Sequence, residues 1–375
     1  VVAITGLERL SAPLTPGVKV QLAATLTAAG GSAQDCTGTA EWSSSDSTLL
    51  RLTGQTPGEL VAVAVGEATV SAACGGATGR LSVRVEKATS WAVSGRVIVA
   101  PGGAPVGNAT LTFGTATPVQ STSAGAYALV TTDSTTQPLT VTASGFQTRQ
   151  TYLRGGEVRT VDLDLIGSEP VFPFSLYRML ARNGYEAPQS VTVAPTQRWT
   201  ASPNVYIWTT WKDTGQPVAN VDFYVSEIRR VIPQLSGGRF EAGTVEYGPD
   251  ERPLTAGWIH VQFHHSGNWA YVARNPGQVQ LGSDHRCNSM AVIHEFGHAM
   301  GYWHSNVQFS VMGGGYPPAG CAPIDLIPDE QLVARVMYSR PPGNVEPDRD
   351  PAQTVLVRAA ASASAPVFCD DILRR

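Results

Sequence analysis

Residues 294–305 read HEFGHAMGYWHS, and all seven histidines of the chain fall between His260 and His304. Wound as a helix, the run SMAVIHEFGHAM stacks His294 and His298 on one face, four residues apart, with their imidazoles converging. Glu295 sits one position round, within reach of a water held by that pair. Gly301 ends the helix, because glycine accepts the left-handed conformation that reverses a chain. The reversal brings His304 back as a third ligand. Three neutral imidazoles with one open position form the donor set of a catalytic zinc, whereas a structural zinc is closed by four protein ligands. In a chain of this composition HExxH arises by chance with odds of roughly 1 in 200. Requiring the glycine and the third histidine lowers the odds to about 1 in 100,000. Histidines that merely decorate a helix or fill a core are set aside on that ground.

The rest of the chain is organised around strands. With 375 residues, two or three domains are expected, each able to bury a core. Charged residues are sparse at 15%, while glycine (38) and proline (26) are plentiful, which suits turn-rich β-sandwiches. Over residues 1–88 the alternating segments VKVQLAATL, ELVAVAVG, EATVSAAC and RLSVRVEK are separated by AAGGS and GQTPG, predicting a first sandwich. From VSGRVIVAPGG to RTVDLDLI, period two returns and predicts a second over 89–167. Neither carries a cluster of titratable groups. Both read as spacers or binding modules, with a cell surface or polysaccharide as the partner.

Over 168–342 the pattern becomes mixed. FSLYRMLARNGY and NVDFYVSEIRRVIPQL have helical spacing, with Val221, Val225, Ile228 and Ile232 as the apolar face of the second. NVYIWTTW, GWIHVQF, WAYVAR and GQVQLG are strand candidates, and PDEQLVARVMY is a last helix. Beyond RPPGN, residues 343–375 become polar and then Ala/Ser-rich, a flexible tail. A net charge of −4 offers no basic field for nucleic acid. No apolar run approaches the ~20 residues of a membrane span. The opening VVAITGLERL has neither an initiator Met nor a charged-then-apolar leader, so a secreted form without its signal segment is expected.

Three resemblances follow. AEWSSSDSTLLRLTG and GELVAVAVGEATVSAACGG resemble the bacterial Ig-like domain of group 2, on Trp42, the Ser-Ser-Ser-Asp turn and the Gly-x-Ala-Thr-Val run. Residues 89–167 resemble the carboxypeptidase regulatory-like (transthyretin-like) domain, on Gly95, Pro105, the Ala-Gly-Ala-Tyr turn ending at Tyr127, and Ser-Gly-Phe at 144–146. The histidine segment resembles the metzincin metalloproteases. His294, Glu295, His298, Gly301 and His304 match their zinc motif, and Ser310-Val311-Met312 matches their Met-turn. NWAYVARNPGQVQLGSDHRCNSMAVIHEFGHAMG is similar to the astacin pattern. Ser305 and a final helix with Asp329 and Tyr338 look matrixin-like, so the branch stays open. Astacins carry a tyrosine two residues after the Met-turn methionine; that position is Gly314 here, and Tyr316 is the nearest phenol.

The resemblances imply two all-β sandwiches followed by an α+β metzincin-like catalytic domain. They imply an extracellular or cell-surface bacterial endopeptidase with one catalytic Zn²⁺ on His294, His298 and His304. Glu295 would be the general base and Met312 the apolar floor. An extended protein or peptide substrate would add as a strand to WAYVAR (269–274) or GQVQL (277–281), touching Trp269, Tyr271 and Tyr316. The YPPAGCAP loop (316–323) would wall the main specificity pocket. Two other readings stand beside this one: an adhesion or scaffold protein whose metalloprotease-like domain only binds, and a zinc hydrolase of cell-wall or glycan-linked substrates.

The cysteines fall in pairs that an oxidising compartment would bridge. Cys36 and Cys74 lie in the first sandwich, while Cys287 and Cys321 bracket the histidine motif; Cys321 with Cys369 is the competing pair. Without a CxxC, metal ligation by cysteine is disfavoured. His260, Gln262 and His264 alternate with Ile259, Val261 and Phe263 as a polar strand face, and His285 reads as solvent-facing or capping. The matrixin His-x-Asp of a second zinc is missing. Asp348 and Asp350 in EPDRDPA read as a solvated acidic linker rather than calcium ligands.

Overall fold

The structure, a computed structural model, describes residues 1–10, 13–87, 90–133, 135–154, 159–187, 193–282, 287–313, 321–352 and 367–368. His285, Tyr316 and Cys369, all named above, lie outside these residues. The described chain is mostly β, arranged in several small sheets followed by one larger mixed sheet with helices.

Between Val2 and Val85 three antiparallel three-stranded sheets form. The long hairpin Gly66–Cys74 with Ala77–Val85 alternates buried and more exposed residues, as a strand covered on one face must. Val70, Val83 and Val85 from it meet Val20, Leu50 and Leu60 from a facing sheet in one core. Between Trp91 and Leu165 two four-stranded sheets enclose a second core, where Val93, Val97 and Leu129 face Leu111, Leu139 and Val141. Tyr127, buried in that core, donates its hydroxyl to the carbonyl of Val161 at 2.6 Å.

The third unit holds the histidines. Its sheet runs in the order Val245–Gly248, Asn204–Trp211, Trp258–Phe263, Gly277–Leu281, Trp269–Ala270, Val367–Phe368. The first four strands are parallel, and the last two pairings are antiparallel. Along Trp258–Phe263 every second residue is buried, so the packed helices cover only one face. Helices α1 (Phe174–Arg182), α2 (Val221–Leu235), α3 (Ser289–Met300) and α4 (Pro328–Ser339) share one apolar core with that face. The buried stripe of α2 is Tyr224, Ile228, Val231, Ile232 and Leu235, while Val221 and Val225 are only half-buried. The expected valine stripe is therefore displaced round the helix, because the aromatic ring of Tyr224 packs edge-on against Phe263. WAYVAR forms a strand only at Trp269–Ala270.

Two expectations need correction. Residues 343–352 are not a loose tail, nor is Asp348 solvated. Asp348 is fully buried and bonded to Arg340 of the last helix's end and to Arg149 of the second sandwich, at 2.8 and 3.1 Å. Arg340 also grips Asp164 of that sandwich at 2.8 Å, and Asp350 pairs with Arg149 at 3.1 Å. Backbone bonds join Gln150 to Asp348 and Asp350 on the same edge. Both carboxylates are engaged by arginines. Second, Cys36 and Cys74 are free thiols, not a bridge. They lie side by side in a small cluster with Val2, Ala24 and Ala72, and the Cys74 thiol pushes Cys36 up to about 11.

Candidate metal centre

Helix α3 is buried along its whole length. Its N-terminus is capped by Asn288, whose side chain accepts from the Ala291 amide at 3.0 Å. Next to the cap, Cys287 is disulfide-bonded to Cys321 with Cα atoms 5.0 Å apart, which fixes the helix start to the segment that leads into α4. At the other end Gly301 has φ 112°, and a Cβ there would meet the carbonyl oxygen of Gln197 at 1.9 Å. Only glycine fits this turn. The last carbonyls of the helix are taken by Trp199 Nε1 on Ala299 and by the Tyr338 hydroxyl on Met300, both at 2.8 Å. The chain then doubles back, held by Trp303 N–H on the carbonyl of Leu180 at 2.8 Å, and delivers His304.

The three imidazoles converge. His304 Nε2 lies 3.3 Å from that of His294 and 3.1 Å from that of His298. Each Nδ1 faces an oxygen: the Val311 carbonyl at 2.7 Å for His294, the Tyr302 carbonyl at 2.8 Å for His298, and the Glu186 carboxylate for His304. A carbonyl can only accept, so Nδ1 of His294 and His298 carries the proton and each neutral ring turns its Nε2 lone pair inward. Burial, with the neighbouring imidazoles, drives His294 down to about 3 and His298 well below the usual range. Both rings are therefore neutral at pH 7. Among the described residues this is the group of histidine, cysteine and carboxylate side chains that could hold a metal ion, its ligand atoms lying within 4.8 Å of one another. Oriented Nδ1–H groups around three inward lone pairs are what a metal-binding histidine set requires.

Glu295 is fully buried beside them on α3. Met312 is likewise buried, under the helix at Gly297, where a Cβ would come 2.3 Å from the methionine sulfur. The Met312 segment is held from two sides. Ser305 N–H bonds the Met312 carbonyl at 3.0 Å, and Glu330 of α4 accepts from Ser310 Oγ at 2.6 Å and from Val311 N–H at 2.9 Å. Burial pushes Glu330 up to about 7 despite these bonds.

Of the expected substrate contacts, Trp269 and Tyr271 sit together with ring centroids 5.4 Å apart, and Arg274 lies over Tyr271 at 4.5 Å. His260 has its Nε2 on the Thr255 amide at 3.2 Å, as a strand-face residue does. His265 stacks on Trp211 and bonds Asp213 at 2.8 Å, away from the triad. Sequence reasoning missed Glu186, Glu330 and Gly297. A glycine inside a helix is a legible flag, and Glu330 occupies a capping position, bonding the Ile327 amide at 3.1 Å. Nothing local marks Glu186, which lies 118 residues from His304.

No protein-family model matches this chain, and no curated protein does. Partial likenesses to solved structures exist. Domains 4 and 5 of the S-layer protein SbsC are 16% identical over 42% of this chain and 98% of theirs, with TM-score 0.20. The group B streptococcus pilus 2b backbone protein is 9% identical over 45% of this chain and 99% of its own, with TM-score 0.20. GBS52, the minor pilin of Streptococcus agalactiae, is 10% identical over 30% and 65%, with TM-score 0.18. At such scores these likenesses bear on neither the site nor the function.

Proposed function

We propose that the chain is a zinc-dependent endopeptidase of metzincin type, acting outside the cell or at its surface. The observation that carries this reading is the convergence of three Nε2 lone pairs, each Nδ1 on an oxygen, with a buried glutamate directly after the first ligand. His294, His298 and His304 would hold the ion, which when bound supplies a Lewis acid and an acidified water. The donor set fits: nitrogen ligands, three in number, leave room for a fourth partner. Glu295 takes a proton at its carboxylate during attack on a peptide carbonyl and returns it to the leaving amine. The walls of α3 and the Met312 turn keep the imidazoles in place without reorganisation. The Cys287–Cys321 bridge suits an oxidising compartment.

The test is an unbiased peptide library incubated with the zinc-loaded chain and with its Glu295→Ala variant, read by mass spectrometry. The variant should bind zinc as the parent does and lose cleavage by about 10²–10⁴-fold. Equal cleavage by both would remove Glu295 from its role. Retained zinc with no cleavage by either, but release of fragments from cell-wall material, would replace the substrate class.

A further inference from the structure

Extended peptides dock on sheet edges because an outer strand offers unpaired N–H and C=O groups. Of the two segments expected to serve, Gly277–Leu281 is interior, paired with Trp258–Phe263 on one side and Trp269–Ala270 on the other. Trp269–Ala270 would be the outer strand on this side of the sheet, but its remaining side is taken by the chain itself. Val367–Phe368 lies antiparallel to it, with Trp269 opposite Phe368 and Ala270 opposite Val367. Three residues past Ala270, the Ala273 amide donates to the carbonyl of His298 at 3.0 Å. The strand that carries Val367–Phe368 is thus continuous with the backbone fastened to a metal-ligating residue.

We propose that Val367–Phe368 is an intramolecular peptide ligand of this edge, an autoinhibitory strand occupying the place of an extended peptide substrate. The regulatory meaning rests on the endopeptidase reading; the docking of a peptide at the edge does not. The substrate class that follows is an extended chain recognised antiparallel to Trp269–Ala270 mainly through its backbone. Tethering gives such a segment an effective concentration in the millimolar range. Two residue pairs supply few hydrogen bonds, each of modest net strength in water. The strand therefore screens out weak ligands and yields to good ones.

The experiment uses the full chain and a Val367→Pro/Phe368→Pro double variant, because proline removes the N–H a ladder needs. The probe is a fluorescent synthetic peptide of residues 363–372 with serine in place of Cys369, and its binding is followed by anisotropy. The double variant should bind it at least tenfold tighter than the parent. Amide exchange at Trp269–Ala270 should be faster in the variant and slow again when the peptide is added. On the peptide library the variant should show a lower KM at unchanged kcat. Equal peptide affinity together with unchanged exchange would overturn the proposal. Tighter binding by the variant with no cleavage by either chain would uphold the docking strand and refute the endopeptidase reading.

Discussion

Gly297 stands in the middle of a helix, where glycine costs about 1 kcal/mol relative to alanine. The reason is across the packing interface, where the sulfur of a fully buried Met312 fills the space of a Cβ. Gly297→Ala should therefore destabilise the chain by about 1–3 kcal/mol despite its better helix propensity. Met312→Ala alone opens a cavity, but in the double variant the overlap is gone, so the two losses should fall short of additive by about 0.5–3 kcal/mol. Urea unfolding of the four chains without metal measures this. Strict additivity would show that the two residues do not touch. At this scale the sequence was generous: the three converging histidines and the turn glycine could be named from spacing, and the methionine from the resemblance to a Met-turn. The partner of Gly297 could not, since a helix glycine is legible only as an anomaly until its neighbour is known.

The last helix does more than close the core. Through Glu330 it holds Ser310 and Val311, and Val311 in turn accepts from His294. The sequence pointed to Asp329 and Tyr338 in this helix. Tyr338 bonds the end of α3, and the acid that holds the Met312 turn is Glu330, next to Asp329. One residue along a helix is a rotation of roughly 100°, and periodicity alone does not choose between adjacent carboxylates. Because burial raises Glu330 from 4.5 to about 7, the folded state binds more protons than the unfolded state between those values. Its contribution to stability is full below the unfolded value and is lost as pH rises to about 7. Comparing urea midpoints at pH 5 and pH 8 in chelator, Glu330→Gln should remove a decline on the order of 2 kcal/mol. A pH dependence identical in parent and variant would contradict the buried, raised carboxyl.

The second sandwich and the third unit are joined by charge. Arg340 and Asp348 are fully buried, and Arg149 and Asp164 reach them from the sandwich. Burial would raise Asp348, but Arg340 and Arg149 hold it below the usual carboxylate range. Its contribution is present at neutral pH and is lost as pH falls below the unfolded value near 3.8 and through the folded one. Asp348→Asn leaves two buried arginines short of a counter-charge and should cost about 3–5 kcal/mol at pH 7. Denaturant unfolding should show one shared transition for these two units in the parent and separate transitions in the variant. An unchanged single transition would mean that apolar contacts, such as Ala100 and Ile166 in the third unit's core, suffice to couple them. From sequence these acids looked like a solvated linker. Their partner Arg149 lies 199 residues upstream of Asp348, a distance over which no local pattern speaks.

What the sequence determined by itself were local, periodic things: which segments are strands, which are helices, and that three histidines and a glutamate share one helix-and-turn. Those follow from 3.6- and 2-residue repeats and from a glycine that only a reversal explains. Tertiary structure alone decided which oxygen faces each imidazole Nδ1, which of two candidate strands lies deeper in the sheet, and what lies against the other. It also decided that two cysteines meet as thiols and that an acidic stretch is a buried joint. Each of these depends on groups distant in the chain meeting at hydrogen-bond range, and spacing along a sequence carries no information about that distance.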